Sequence, residues 1–315
     1  MKIVDVNGVD TGNQSYKLAQ AINMRYAPEH ISISFIGDPH ANYLKFPYMV
    51  KKVQKQPKWV TDWWANADII HGHNLWRRVR GFGLNANPNA VKVLHQHGRF
   101  GSDITPGYLA RCDKKGKFFR IVSTINLLRY VGGDDSRWLP APMDLKKFER
   151  IKEKHYEPHD TIRVLHSPTL RRLKHTDLFL KVMERIMKKH KNVELVMVEG
   201  KSNDECLKIK CSCDICYDQL LLQYGTNALE SWAFGIPCIV GSPFRKQIEN
   251  SVGFIPYYEA TEDTLYDAIE TLVLDGEKRT EYGELGKKYL KDFHDYPFVA
   301  EKALNIYERA VEELG

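Results

Sequence analysis

Tyr224-Gly-Thr-Asn-Ala-Leu-Glu-Ser-Trp-Ala-Phe-Gly-Ile-Pro237, running straight into Cys238-Ile-Val240, is the stretch on which the reading of this chain turns. Small and apolar residues fill Thr226 to Phe234 and predict a helix. Gly235 then stops it and Pro237 opens a short β-rich run, the grammar of a helix-to-strand turn. One carboxylate, Glu230, stands among apolar neighbours, where a solubilising charge has little purpose. The start of this helix, behind Tyr224-Gly225, offers backbone N–H groups suited to phosphate or another anion. A glutamate one turn further on can accept hydrogen bonds from a sugar or ribose hydroxyl. If it does, Glu230→Gln keeps the fold and weakens the ligand; if Glu230 only serves its own helix, stability falls and affinity does not.

Outward from this stretch, strand-like and helix-like runs alternate. The strand-like runs are Lys2–Val6, Ile31–Ile36, Asp68–His71, Val91–His95, Arg120–Ser123, Ile162–His166, Val193–Val198, Asp214–Tyr217 and Cys238–Val240. Between Leu178 and Met187, apolar pairs recur at helical spacing. Strands with helices between them imply parallel sheets in α/β layers. The pattern restarts at Ile162 after a polar, charged stretch, Leu145–Thr161, which reads as a linker. A length of 315 residues suits two domains of ordinary size.

The Tyr224–Pro237 stretch resembles the donor site of the retaining GT-B glycosyltransferases (group 1 type), whose signature runs glutamate, seven residues, glutamate, then small-Met-Ala-x-Gly-x-Pro. The second half matches. In the first half, Leu222 stands where the family has its other glutamate, and a leucine cannot hydrogen-bond a sugar. Some short branches carry an Asp-Gln pair ahead of the loop, and Asp218-Gln219 fill that place. Either these two take over sugar contacts or the site binds a nucleotide sugar without turning it over. Trp138-Leu-Pro-Ala-Pro-Met-Asp144 is similar to the family's hinge entry. The resemblance implies the GT-B architecture, two Rossmann-like domains with parallel sheets facing a central cleft. Residues 1–145 would form the acceptor-side domain, with a C-terminal helix in 298–315 packing back on it, and residues 146–297 the nucleotide-sugar domain.

The same resemblance distributes roles. In Ile162-Arg-Val-Leu-His-Ser-Pro-Thr-Leu-Arg-Arg-Leu-Lys-His-Thr176, Lys174 fits the family's pyrophosphate lysine, with His175 where glycine is common. Arg171 or Arg172 supplies the arginine, since a departing nucleoside diphosphate gathers charge that fixed cations stabilise. Glu230 would hold the ribose, and Tyr224, Gly225, Thr226 and Asn227 the donor at the helix terminus. Gly12, in the glycine-bearing turn after the first strand, and His97 would face the reacting sugar and the acceptor. No metal or other cofactor is implied; the donor substrate is a nucleotide-diphosphate sugar, UDP-linked as the best choice. Retention would follow a front-face route without a protein nucleophile.

Two clusters invite metal readings. His71-Gly-His73 and His95-Gln-His97 end adjacent strands, which would bring both pairs to one sheet edge, but no neighbouring carboxylate or cysteine in the sequence completes a ligand set. A satisfied structural histidine is the plainer reading of each. Cys206, Cys211, Cys213 and Cys216 have zinc-like spacing, yet Cys213-Asp-Ile-Cys-Tyr-Asp218 reads as a buried strand in which thiols act as small hydrophobes. There is no Asp-x-Asp, which disfavours metal-dependent GT-A chemistry.

Charge is uneven. Residues 1–150 carry 23 Lys+Arg against 12 Asp+Glu, so a net of +6 for the chain hides a basic first half and an acidic second. Basic residues mix with aromatics in Lys51–Trp59, Trp76–Arg80 and Arg111–Arg120. An anionic partner for the first half is therefore expected, membrane lipid or DNA, against the plain alternative of a lysine-rich solvated surface. Met1-Lys-Ile-Val-Asp-Val6 reads as a strand rather than a signal peptide, and six cysteines without a secretory signal suit a reducing compartment. The expected location is the cytoplasm, with the inner membrane surface as a peripheral alternative. The expected function is transfer of a sugar to an acceptor hydroxyl with retention, the acceptor being an envelope glycan or lipid. The alternatives are glycosylation of a modified DNA base, a non-catalytic partner subunit, and a nucleotide-sugar 2-epimerase.

Overall fold

The computed structural model describes residues 1–7, 14–36, 58–73, 87–97, 117–221 and 223–315. Leu222 and Gly12 lie outside the described residues. So does most of the basic sequence at 51–57, 76–80 and 111–116. The chain divides into two compact units, Met1–Asp144 with Phe293–Gly315, and Leu145–Asp292.

The first unit holds a five-stranded parallel sheet of β1 (Lys2–Asn7), β2 (Ile31–Ile36), β3 (Ile69–His73), β4 (Val91–Gln96) and β5 (Phe119–Val122) in the order β2-β1-β3-β4-β5. One face packs Ile3, Ile69, Val91, Val93 and Ile121 against Leu18 and Ile22 of the Gln14–Tyr26 helix and against Val299, Ala303, Ile306 and Tyr307 of the C-terminal helix, Tyr296–Leu314. The other face packs Val4, Val6 and Ile70 on Trp64. Strands covered on both faces bury side chains on each, and here the apolar majority is interrupted by buried polar residues at Asp5, Ser32, Ser34, His71, His73 and His95. Each such aliphatic side chain taken from water contributes about 1.5–3 kcal/mol.

The second unit repeats the design with β6 (Ile162–His166), β7 (Val193–Met197), β8 (Ile215–Gln219), β9 (Cys238–Val240) and β10 (Tyr258–Glu259), in the order β10-β9-β8-β6-β7, all parallel. Counted from the first strand of each unit, both sheets run 2-1-3-4-5. Phe179, Val182, Met183 and Ile186 of the Thr176–Lys189 helix cover Val164, Ile215 and Ile239.

Two expectations need correction. Leu145–Thr161 is no linker: Leu145–His155 is a helix. Its charged residues outnumber a narrow apolar stripe, but Phe148 is buried edge-on against Phe234, and Lys152 Nζ donates to the Phe234 carbonyl at 2.8 Å. β8 also runs two residues further than expected, because Asp218 and Gln219 are buried and continue the ladder to Val240 and Gly241. Among the described residues, no helix is long and apolar enough to cross a membrane.

Candidate functional site

A sheet of order 2-1-3-4-5 reverses direction between its first and third strands, and in open α/β sheets the crevice beyond the carboxyl ends at that point is where ligands bind. In the second unit the reversal falls between β6 and β8. β6 ends at His166, which is fully buried. Its Nδ1–H donates to the Tyr217 carbonyl (3.1 Å), and Nε2 accepts from the Thr176 hydroxyl (2.8 Å). That pattern needs a neutral ring, and burial holds the pKa down to about 4.

After β6 the chain makes a short 3-10 turn, Arg171–Lys174, closed by His175 in the left-handed conformation (φ 49°). A residue with a Cβ is strained there, which explains why glycine suits this position. The turn delivers Lys174 to β8, where its Nζ donates to Asp218 Oδ1 at 2.6 Å. Asp218 Oδ2 accepts the N–H of Gly225 at 2.6 Å. Burial pushes the Asp218 carboxyl up, but the Lys174 charge and these hydrogen bonds outweigh it and hold the group below its ordinary value. Asp218 thus ties the lysine turn to the start of the Thr226–Ala233 helix. Gly225 is needed for the approach: a Cβ there would stand 3.3 Å from both Asp218 Oδ2 and Lys174 Nζ.

At the helix start, Ala228 and Leu229 direct their N–H groups to the Gly225 carbonyl, leaving those of Thr226 and Asn227 as open donors among the described residues. Asn227 Nδ2 donates to Cys216 Sγ at 3.3 Å, and its buried Oδ1 has no hydrogen-bond partner among the described residues. A positive dipole end, a lysine and open amides converge here, a combination that receives phosphate.

Glu230 lies one turn further along the helix and is buried. Its carboxylate is engaged. Oε2 accepts from Lys210 Nζ at 2.5 Å and Oε1 from Asn203 Nδ2 at 2.9 Å. Burial alone would lower the Lys210 pKa; the Glu230 charge overrides it and holds the ammonium above its usual value. This pair is not legible in the sequence, because Lys210 lies in a lysine-rich run, Lys208-Ile-Lys210, that reads as a solvated surface.

Other predicted positions fall less simply. Arg171 is exposed and forks onto Glu199, at 2.8 and 2.5 Å, and Arg172 is exposed beside it. Tyr224 is buried, its hydroxyl paired with that of Tyr289, against the edge of Trp232. Gln219 is buried with its amide on the Gln223 carbonyl. Thr226 opens the helix without a side-chain cap from Gly225. Cys211, Cys213, Cys216 and Cys238 are buried free thiols, and burial pushes Cys213 up to about 12.

The first unit's reversal, between β1 and β3, is lined differently. Asp5 stands in register with His71, and His73 with His95. His97, half-buried just past β4, stacks on His73 with centroids 4.9 Å apart, its Nε2 2.6 Å from His73 Nδ1. Burial holds the His97 pKa well below its ordinary value. His97 is thus one member of a packed imidazole group rather than a lone histidine on a loop.

No protein-family model matches this chain, and no curated protein matches it in sequence. Solved structures match along its whole length, and they define its fold as GT-B, two parallel-sheet α/β units in one chain. Anabaena HepE in complex with UDP and glucose is 12% identical, with a TM-score of 0.66 over 98% of this chain and 100% of that one. S. aureus MnaA bound to UDP is 13% identical, with a TM-score of 0.62 over 99% and 97%. The UDP-GlcNAc 2-epimerase of Methanocaldococcus jannaschii is 11% identical, with a TM-score of 0.56 over 98% and 100%.

Proposed function

We propose that this chain is an enzyme of UDP-sugars and that it inverts the sugar at C2. The observation that carries donor binding is the convergence of Lys174, the Gly225 turn and the open amides of Thr226 and Asn227 at the switch point of the second sheet. Lys174 and the helix terminus would hold the diphosphate and stabilise the charge it gathers on departure. Asn227 Oδ1 would take a donor from the nucleotide or sugar, and Asp218 positions Lys174. Glu230 would hold the ribose by exchanging one of its present contacts, such as Asn203, for a sugar hydroxyl. Arg171 would join only by exchanging Glu199 for phosphate. The 2-epimerase reading is favoured by full-length likeness to proteins of that description and by Leu222, which stands in place of the first glutamate of the transferase motif.

Retaining glycosyl transfer is the second reading, favoured by the match of Glu230–Pro237 to the transferase signature. An anionic acceptor for the basic first unit belongs to that reading. Incubation with a panel of UDP-sugars in deuterium oxide, without acceptor, separates the two. Epimerisation removes the C2 proton and returns one from solvent to the opposite face, so the C2 epimer appears carrying deuterium. Transfer leaves C2 untouched and requires an added acceptor. UDP-sugar binding with neither product would reduce the chain to a binder.

A further inference from the structure

Asp5, His71, His73 and His95 occupy one face of the first sheet at its reversal point. Their registers put Asp5 beside His71 and His73 beside His95 on parallel strands about 4.8 Å apart. All four are at most 2% exposed. The imidazoles touch: centroids lie 4.4 Å apart for His71 and His73, 5.1 Å for His71 and His95, and 5.2 Å for His73 and His95. One ring nitrogen from each lies within 4.8 Å of the others.

As core packing this is a poor choice. A buried polar ring without hydrogen bonds costs stability that a leucine would not. Yet His71 Nε2 and the ring nitrogens of His95 have no hydrogen-bond partner of ordinary geometry among the described residues. Asp5 adds a second cost. It is wholly buried. Its contacts are the Ser32 hydroxyl, His71 at 3.0 Å and His73 at 3.3 Å, with no lysine or arginine among the described residues. A buried anion ringed by imidazoles is a donor set suited to a cation.

We propose that His71, His73 and His95 bind one divalent transition-metal ion, zinc by the chemistry of the donors, with Asp5 as the carboxylate that orients His71 and balances the charge. Three imidazoles with a carboxylate behind one of them is a recurring zinc arrangement, and nothing soft is present to select a thiophilic metal. His71 Nδ1 faces Asp5 Oδ1 and, at 2.7 Å, the Tyr307 hydroxyl, which leaves Nε2 to the metal. His73 exchanges its contact with Asp5 or His97 for the ion. Zinc–nitrogen bonds of about 2.05 Å set ligand atoms about 3.3 Å apart, which small ring rotations reach from the observed spacing. The site lies wholly within the first unit and is independent of the donor reading.

Cobalt(II) reports on such a site. The full-length protein, stripped with chelator and titrated with cobalt, is expected to take up one ion per chain. The ligand-field bands should be those of a tetrahedral nitrogen and oxygen site, without the sulfur charge transfer that the cysteines of the second unit would give. Zinc should displace the signal and raise the Tm. His95→Gln and His71→Gln should each lose the bands, while His97→Gln keeps them. Absence of stoichiometric uptake by the unaltered protein would overturn the proposal whatever the variants do. Bands that survive both His71→Gln and His95→Gln, in protein whose circular dichroism is unchanged, would overturn it as well.

Discussion

The two sheets share one strand order and put their reversal points at the same topological place, yet line them with opposite chemistry. In the second unit the crevice holds Lys174, Asp218 and the start of a helix, a cationic cradle with Lys174 partly open to solvent. In the first it holds Asp5 and the imidazoles of His71, His73 and His95, buried and centred on an anion. A fold sets where ligands go; the side chains at strand ends set which ligands they are. The cradle suits a phosphate-bearing ligand and the imidazole stack suits a cation.

The largest expected effect concerns the deep ion pair of the second unit. Glu230→Gln leaves Lys210, 2% exposed, without its counter-charge, and breaking one side of such a pair costs about 3–5 kcal/mol. The sequence, read with Glu230 as a ribose ligand, leads to the opposite expectation, that an isosteric change keeps the fold. Denaturant unfolding should show the loss, and Glu230→Gln combined with Lys210→Met should recover much of it. If Glu230→Gln alone unfolds like the parent, the buried pair is not formed in solution.

Next comes acid sensitivity. Burial holds the His166 pKa at about 4 in the folded chain, against about 6.5 unfolded. Below pH 6.5 the unfolded chain takes a proton that the folded one refuses, so stability is present in full above 6.5 and is lost as pH falls toward 4. The loss is of order 3 kcal/mol. Unfolding of the parent and of His166→Asn at several pH values checks it; the variant should show the shallower slope.

Smaller effects probe the cradle's backbone. Gly225→Ala brings a Cβ to 3.3 Å from Asp218 and Lys174, which should weaken UDP several-fold and cost about 1 kcal/mol of stability as the pair gives way. His175→Gly should raise stability slightly, by less than about 1 kcal/mol, because the left-handed backbone is strained for any residue but glycine. Equilibrium unfolding reads both.

The sequence carried the alternation of strands and helices, since doubly covered strands and amphipathic helices write their period directly. It also carried the Gly225-to-Pro237 helix and turn, whose Gly235 takes the expected left-handed backbone (φ 77°), and it singled out Lys174, Asp218 and Gly225. It did not show that Asp218 joins the other two, because their contacts span 44 and 7 residues and depend on the length of β8. The packing of Tyr224 was hidden for a related reason: its partner Tyr289 is 65 residues away, on a helix whose packing no local pattern reveals. The carboxylate missing from the histidine reading was Asp5, which only the register of β1 on β3 brings beside His71.

The most direct measurement is calorimetric titration of UDP and of uridine into the parent and into Lys174→Ala. Loss of a charge-assisted contact to diphosphate costs about 1.5–3 kcal/mol. UDP affinity should therefore fall roughly 10- to 150-fold in the variant, while the weaker binding of uridine, which lacks the diphosphate, should change little. Equal UDP affinity in parent and variant, with the variant folded, would contradict the assignment of this crevice to the diphosphate.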